Sequence, residues 1–197
     1  MFKYFIAPFL LLCGIFYGEP HNFEKNRIAY LWQSAPNYID SKRVFVEAFV
    51  KCYSKIPLDV LGESSREEIV EQLNLGFEKI YVECTESKNF LWLSAEIENR
   101  VVGFIVIELT KYPEEIYLAV LAIDPAYQRR GIASSMVHSL VEQFADCGRF
   151  VVITRKANEE AMHLYRFLGF VPSSYMHEGY NRELYTGFCY SRADSIE

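Results

Sequence analysis

Residues 116–148 read as a buried strand, a turn and an amphipathic helix, and this succession limits the architecture more than any other segment. From Ile116 to Ile123 the chain is almost uninterruptedly apolar, as a strand covered on both faces must be. Asp124-Pro125 halts it, and Ala133, Met136, Val137, Leu140, Val141 and Phe144 then recur at helical spacing up to a stop near Gly148. A strand hidden on both sides needs helices on both sides, so the segment implies an α/β domain with a mixed sheet flanked by helices.

The flanking segments extend this pattern. Arg27–Trp32 reads as a first strand, and a helix follows in which Val44, Phe45, Ala48, Phe49, Cys52 and Tyr53 share a face, with Asp40 or Ser41 as N-cap and Pro57 closing it. Ser65 and Glu68 have capping-box spacing ahead of Ile69, Leu73, Gly76 and Phe77, which predicts a second helix. Ile80–Cys84, Phe90–Ile97 and Val101–Leu109 read as three strands of an antiparallel meander. After the central strand and helix, Phe150–Thr154 is a strand, Asn158 caps a helix that stops at Gly169-Phe170, and Ser174–Glu178 and Glu183–Tyr190 form a final hairpin.

The 197 residues suit one domain, assigned to residues 22–197, with a hydrophobic leader over residues 1–21. Tyr4 to Tyr17 carries no charge, and it resembles a signal-peptide core or a membrane-associating segment; it is short for a spanning helix and contains Pro8. Export or membrane attachment through residues 4–17 therefore stands beside an N-terminal segment that packs on the domain. The net charge of −6, with no long Lys/Arg block, argues against nucleic acid and suits a cationic amine. Five scattered cysteines without a C-x-x-C pair indicate neither a zinc site nor a disulfide framework, so no metal is expected.

Chemistry concentrates between the buried strand and its helix, in Leu121, Ala122, Ile123, Gln128, Arg129, Arg130, Gly131, Ile132, Ala133 and Ser134. Gly131 and Ala133 let a ligand approach the backbone closely. The free N–H groups and dipole of the helix start favour an anion such as a pyrophosphate, to which Arg129 and Arg130 can add charge. Gln-x-x-Gly-x-Ala alone would also suit a plain strand-to-helix turn. A second pattern lies on the next helix: Asn158, Ala161, Leu164, Tyr165, Leu168, Gly169 and Phe170.

Together the two patterns resemble the GNAT superfamily of acetyltransferases, closely over residues 90–190 and by element order alone over residues 27–85. Gln128, Gly131 and Ala133 match its cofactor loop, and Asn158, Tyr165, Gly169 and Phe170 its downstream helix. The resemblance implies a sheet splayed between two parallel strands, here Ile116–Ile123 and Phe150–Thr154, with acetyl-CoA as co-substrate and its thioester in the split. Amides of Leu121 to Ile123 would polarise the acetyl carbonyl, and Asn158 joins the cofactor-binding set.

The resemblance further implies direct attack by an amine, with Tyr165 as the acid that protonates the leaving thiolate; the alternative is an aromatic on the buried face of its helix. Glu115 is taken as base, while Glu96, Glu108 and Glu114 could equally reach the amine directly or through water, and each could instead be a solvated surface carboxylate. His138, His163 and His177 have no evident triad partner. The acceptor is a small-molecule or protein amine, in a pocket that Trp92, Tyr175, Tyr180 and Tyr185 could line. Cofactor supply places the protein in the cytoplasm, unless the leader exports it or attaches it to a membrane, and a homodimer is a family-level expectation. The competing function is a catalytically silent acyl-CoA sensor or interaction module.

Overall fold

The computed structural model describes residues 28–33, 36–177 and 179–192, so the expected leader lies outside the described residues. Seven strands form one sheet in the order β1 (Ala29–Gln33), β2 (Phe90–Ile97), β3 (Arg100–Leu109), β4 (Glu115–Ile123), β5 (Arg149–Arg155), β7 (Tyr185–Ser191) and β6 (Val171–Ser173). Only β4 and β5 run parallel. That pairing requires a crossover, supplied by α4 (Ile132–Gln143), whereas the β2–β3 link is a two-residue turn in which Glu98 and Asn99 take positive φ.

α4 and α5 (Glu159–Phe167) cover one face of the sheet. Met136, Leu140, Tyr165 and Phe170 pack there on Ile105, Leu118, Phe150, Val152 and Phe188. α1 (Tyr38–Tyr53) and α3 (Arg66–Glu86) cover the other face, where Val44, Phe45 and Phe77 meet Trp92, Phe104, Val106 and Val120. β4 contributes to both cores, which accounts for its unbroken apolar run. Farther along the second face, Tyr117, Val151 and Cys189 form a smaller cluster with Ala119, Ile153 and Tyr175.

Several local expectations shift. α1 begins three residues earlier than Ser41, because Asn37 rather than Asp40 or Ser41 is the cap: Asn37 Oδ1 accepts from the Asp40 amide at 3.0 Å. Pro57 precedes an additional short helix, α2 (Leu58–Leu61), ended by Gly62 at φ 77°. Ser65 caps α3 as expected, accepting from the Glu68 amide, while Glu68 Oε2 reaches back to Ser64 N. Ile80–Cys84 is not a strand. It is the last part of α3, whose buried Ile69, Leu73, Phe77 and Cys84 continue one helical stripe against β2.

The final hairpin also begins earlier, with β6 at Val171–Ser173 instead of Ser174–Glu178. The backbone leaves the sheet plane at Tyr175 and crosses Gly187, where a Cβ would overlap the Tyr175 carbonyl. Trp92, expected as a possible pocket residue, is fully buried between α3 and the sheet. Gly169 at φ 87° closes α5 in a Schellman arrangement: Gly169 N donates to Arg166 O and Phe170 N to Tyr165 O.

Candidate active site

β4 and β5 are paired only from Glu115–Arg149 to Leu118–Val152. At that point β4 bulges against β3: Ile107 faces Leu118 and Val106 faces Val120, so Ala119 is the extra residue. A bulge bends its strand and increases the local twist. It turns the remainder of β4 away from β5, and the backbone groups of residues 119–123 and 153–155 flank an open split instead of pairing across it.

The loop leaving β4 is held from several directions. Asp124 is buried; its Oδ1 accepts from Ala126 N at 2.8 Å and its Oδ2 from Arg43 Nη1 at 2.6 Å, while Arg43 Nη2 donates to Val101 O. Gln128 turns inward, donating to Ile123 O at 3.0 Å and accepting from Lys51 at 2.7 Å. Arg129 and Gly131 both lie at positive φ, 63° and 79°. The first helical bond of α4 is Ser135 N to Gly131 O, and among the described residues the amides from Gln128 to Ser134 donate to no backbone carbonyl.

That run of unengaged amides meets the N-terminal dipole of a 12-residue helix. Gly131 is exposed, and a Cβ built on it meets nothing within 4 Å, which leaves open space directly over the amides. Arg129 and Arg130 are exposed beside it; Arg130 donates to Ala126 O and lies 5.0 Å from the Tyr127 ring. The residues thus suit a bridging pyrophosphate at the helix start, with an extended chain continuing into the split.

The expected cofactor residues divide by role. Leu121, Ala122 and Ile123 line the split on β4, and Arg129 to Ser134 form the amide cradle. Gln128 is a strut of the loop. Asn158 Oδ1 caps α5 by accepting from Ala161 N at 3.1 Å, which engages that oxygen locally. Asp124 and Arg43, which build the loop, were not singled out in the sequence; a buried Asp directly after an apolar strand was the available signal.

Tyr165 projects from α5 into the core that α5 shares with the sheet. Its ring packs with Phe170 and Phe188, and burial raises the pKa of its phenol, which favours the protonated form. Glu115 is neither solvated nor near the loop. It is buried at the paired end of β4 and bound to Arg149 at 3.2 Å; its position six residues before Leu121 puts it roughly 20 Å along the strand from that residue. The structure does not bring Glu115 together with Tyr165 and the amide cradle.

On the face turned away from α4 and α5, an aromatic cluster starts at Tyr117 in the paired part of β4; the sequence foreshadowed it only through Tyr175, Tyr180 and Tyr185. Tyr117 donates to Tyr180 Oη at 3.3 Å, stacks on His177 and packs on Tyr175. His177 Nε2 lies 3.8 Å from Glu108, and Tyr180 meets Tyr185 edge-on. Burial pushes the Tyr53 phenol up to about 12 and Tyr175 likewise to about 12. Among the described residues no cluster of His, Cys, Asp and Glu could hold a metal ion, and no helix is long and apolar enough to cross a membrane.

A helix start with free amides, set beside a sheet that opens between two parallel strands, is the arrangement that the sequence resemblance leads one to expect. The family model described as acetyltransferase (GNAT) matches residues 47–170, and the chain belongs to that family. N-alpha-acetyltransferase 30 of Xenopus laevis is 36% identical over 84 residues, covering 39% of this chain and 30% of that protein. The Homo sapiens protein of the same name is 36% identical over 84 residues, covering 39% of this chain and 23% of its own length. The chain thus spans less than about a third of these relatives.

Among solved structures, the PaiA N-acetyltransferase of Thermoplasma acidophilum in complex with coenzyme A shares the fold at a TM-score of 0.67 and 16% identity, over 83% of this chain and 99% of that one. The ribosomal-protein-S18-alanine N-acetyltransferase of Escherichia coli does so at a TM-score of 0.55 and 14% identity, over 88% and 99%.

Proposed function

We propose that the protein transfers the acetyl group of acetyl-CoA to a primary amine by direct attack, with Tyr165 as general acid. The observation that carries this reading is the split between β4 and β5 at Ala119, with the run of free amides at the start of α4 beside it. The cofactor supplies an activated thioester. The amides of residues 121–123 would stabilise negative charge on the carbonyl oxygen, and the Tyr165 hydroxyl would deliver a proton to the departing sulfur.

Glu115, held by Arg149 at the closed end, cannot take the amine's proton directly across that distance. The proton would leave to water instead, with no carboxylate on the residues flanking the split to take it. The names of the relatives, N-alpha-acetyltransferases, favour the α-amine of a peptide or protein as acceptor.

The test is CoA release with a panel of peptide and small amines. Tyr165→Phe should lower kcat about 10²-fold, in the range of general acid catalysis, while acetyl-CoA still binds. Equal kcat in the variant would remove the acid role. A second reading, a silent acyl-CoA sensor, is favoured by the lack of a carboxylate on residues 119–123 and 153–155; tight CoA binding without release across the panel would establish it.

A further inference from the structure

We propose that Arg155 reads a carboxylate on the acceptor, so that the preferred substrates are amines carrying a carboxylate a few bonds from the nitrogen. This rests on the acetyl-transfer reading for the position of the amine. Arg155 ends β5 at the flank of the split, opposite Tyr185, on the face turned away from α4 and α5. Its guanidinium lies between two rings, 5.5 Å from the centre of Tyr53 and 5.2 Å from that of Tyr185.

What sets Arg155 apart is that this charge has no counter-ion. Arg43 on α1 and Arg149 on β5, two other half-buried arginines, hold Asp124 and Glu115. The nearby Glu160 is taken by Lys55 at 2.6 Å. Among the described residues Arg155 forms no ion pair; its Nη1 makes a long contact to Leu61 O at 3.5 Å, the Tyr53 phenol is a second polar neighbour, and its Nε is buried without a partner. Arg66, which ties down the adjoining α1–α2 loop through the carbonyls of Tyr53 and Ile56, adds positive charge.

A buried N–H left unpaired is costly, and a guanidinium set beside two aromatic rings offers a planar fork that matches a carboxylate. The protein as a whole is acidic, at a net charge of −6, so this local excess of cation is not a general surface property. Two sources could supply the carboxylate: the α-carboxylate of a free amino acid, or an acidic side chain beside the N-terminus of a peptide.

The experiment compares matched acceptors that differ only in carboxylate against carboxamide: an amino acid with its amide, and a peptide bearing Glu at its second position with the Gln peptide. Each is measured by CoA release and by calorimetric binding to the CoA-loaded protein. The expected result is a carboxylate preference of roughly tenfold in at least one pair, expressed in KM rather than kcat, as the loss of one charge-assisted bidentate contact would give. The pair that shows it identifies the source.

Arg155→Gln should bring the ratio close to unity, and Arg155→Lys should keep part of it, since charge remains but the planar fork is lost. A purely structural strut would change stability and leave the ratio unaltered. Equal acceptance of both members of both pairs by the unaltered protein overturns the proposal whether or not the variants fold, and so does an unchanged ratio in Arg155→Gln. Carboxylate-selective binding lost in Arg155→Gln without any CoA release upholds the assignment and removes acetyl transfer. Turnover without selectivity does the reverse.

Discussion

Asp124→Ala should be the most informative loss in the cofactor loop, because its carboxylate ties the loop to α1 and fixes the turn, while its backbone amide joins the residue to β3. Its Oδ2 holds Arg43 of α1 at 2.6 Å, its Oδ1 fixes Ala126 N at 2.8 Å, and its own amide bonds Val102 O at 2.9 Å. The Asp124 side chain is 8% exposed and that of Arg43 28%, and Arg43 Nε is already buried without a partner. Removing one member of a buried pair costs about 3–5 kcal/mol; discounting for the partial exposure of Arg43 leaves about 2–3 kcal/mol.

For a domain of this size that corresponds to a Tm lower by about 5–10 °C. Urea unfolding of the single variants Asp124→Ala and Arg43→Ala and of the double variant gives the pairwise coupling, which should exceed about 1 kcal/mol. Asp124→Asn keeps an acceptor for Ala126 N and should lose less than Asp124→Ala. Acetyl-CoA should bind the Ala variant several-fold more weakly, since the amides that bind it are no longer held in place. Additivity of the two single losses within about 0.5 kcal/mol would refute the argument that the pair is the loop's anchor.

Gly187→Ala drives a Cβ into the Tyr175 carbonyl, so unfolding should report a loss of about 1–3 kcal/mol or more, as overpacking does; an unchanged denaturation midpoint would show that the 174–177 segment yields freely. Gly131→Trp should abolish calorimetric acetyl-CoA binding, because the space over Gly131 is open and the bulky ring would fill it; the positive φ adds about 1–2 kcal/mol of strain. Tyr53 and Tyr175 have folded pKa values raised by burial to about 12 from 10.0, so the native state keeps protons that the unfolded chain releases. The stability they contribute is complete below about pH 10 and disappears as pH rises through about 12. Tyrosinate absorbance followed against pH in native and urea-unfolded protein tests this, and a native curve that coincides with the unfolded one would contradict it.

The parts legible in the sequence are those whose cause is local. The strand at Glu115–Ile123, the helix at Ile132–Gln143 and the cap and stop of α5 at Asn158 and Gly169-Phe170 follow from apolar periodicity and from hydrogen bonds between near neighbours. The run Ile80–Cys84 was ambiguous for the same reason. Five residues of mostly apolar character fit a strand or a helix turn, and the choice fell to Phe77 and Cys84 packing with Trp92.

The site itself was settled by contacts between distant segments. A bulge at Ala119 sets where the parallel strands part, and it depends on the register of β3 against β4, which no local pattern encodes. Glu115 becomes the buried partner of Arg149 because parallel pairing sets β4 and β5 side by side. Arg155 becomes an unpaired cation between Tyr53 and Tyr185 because α1, β5 and β7 converge at the end of the split. The sequence by itself determined most of the elements and the helix start proposed to bind an anion, whose chemistry would be carried by its own backbone. Only the tertiary structure decided which charges are neutralised and which face an acceptor, because that depends on which side chains folding brings within a few ångströms of one another.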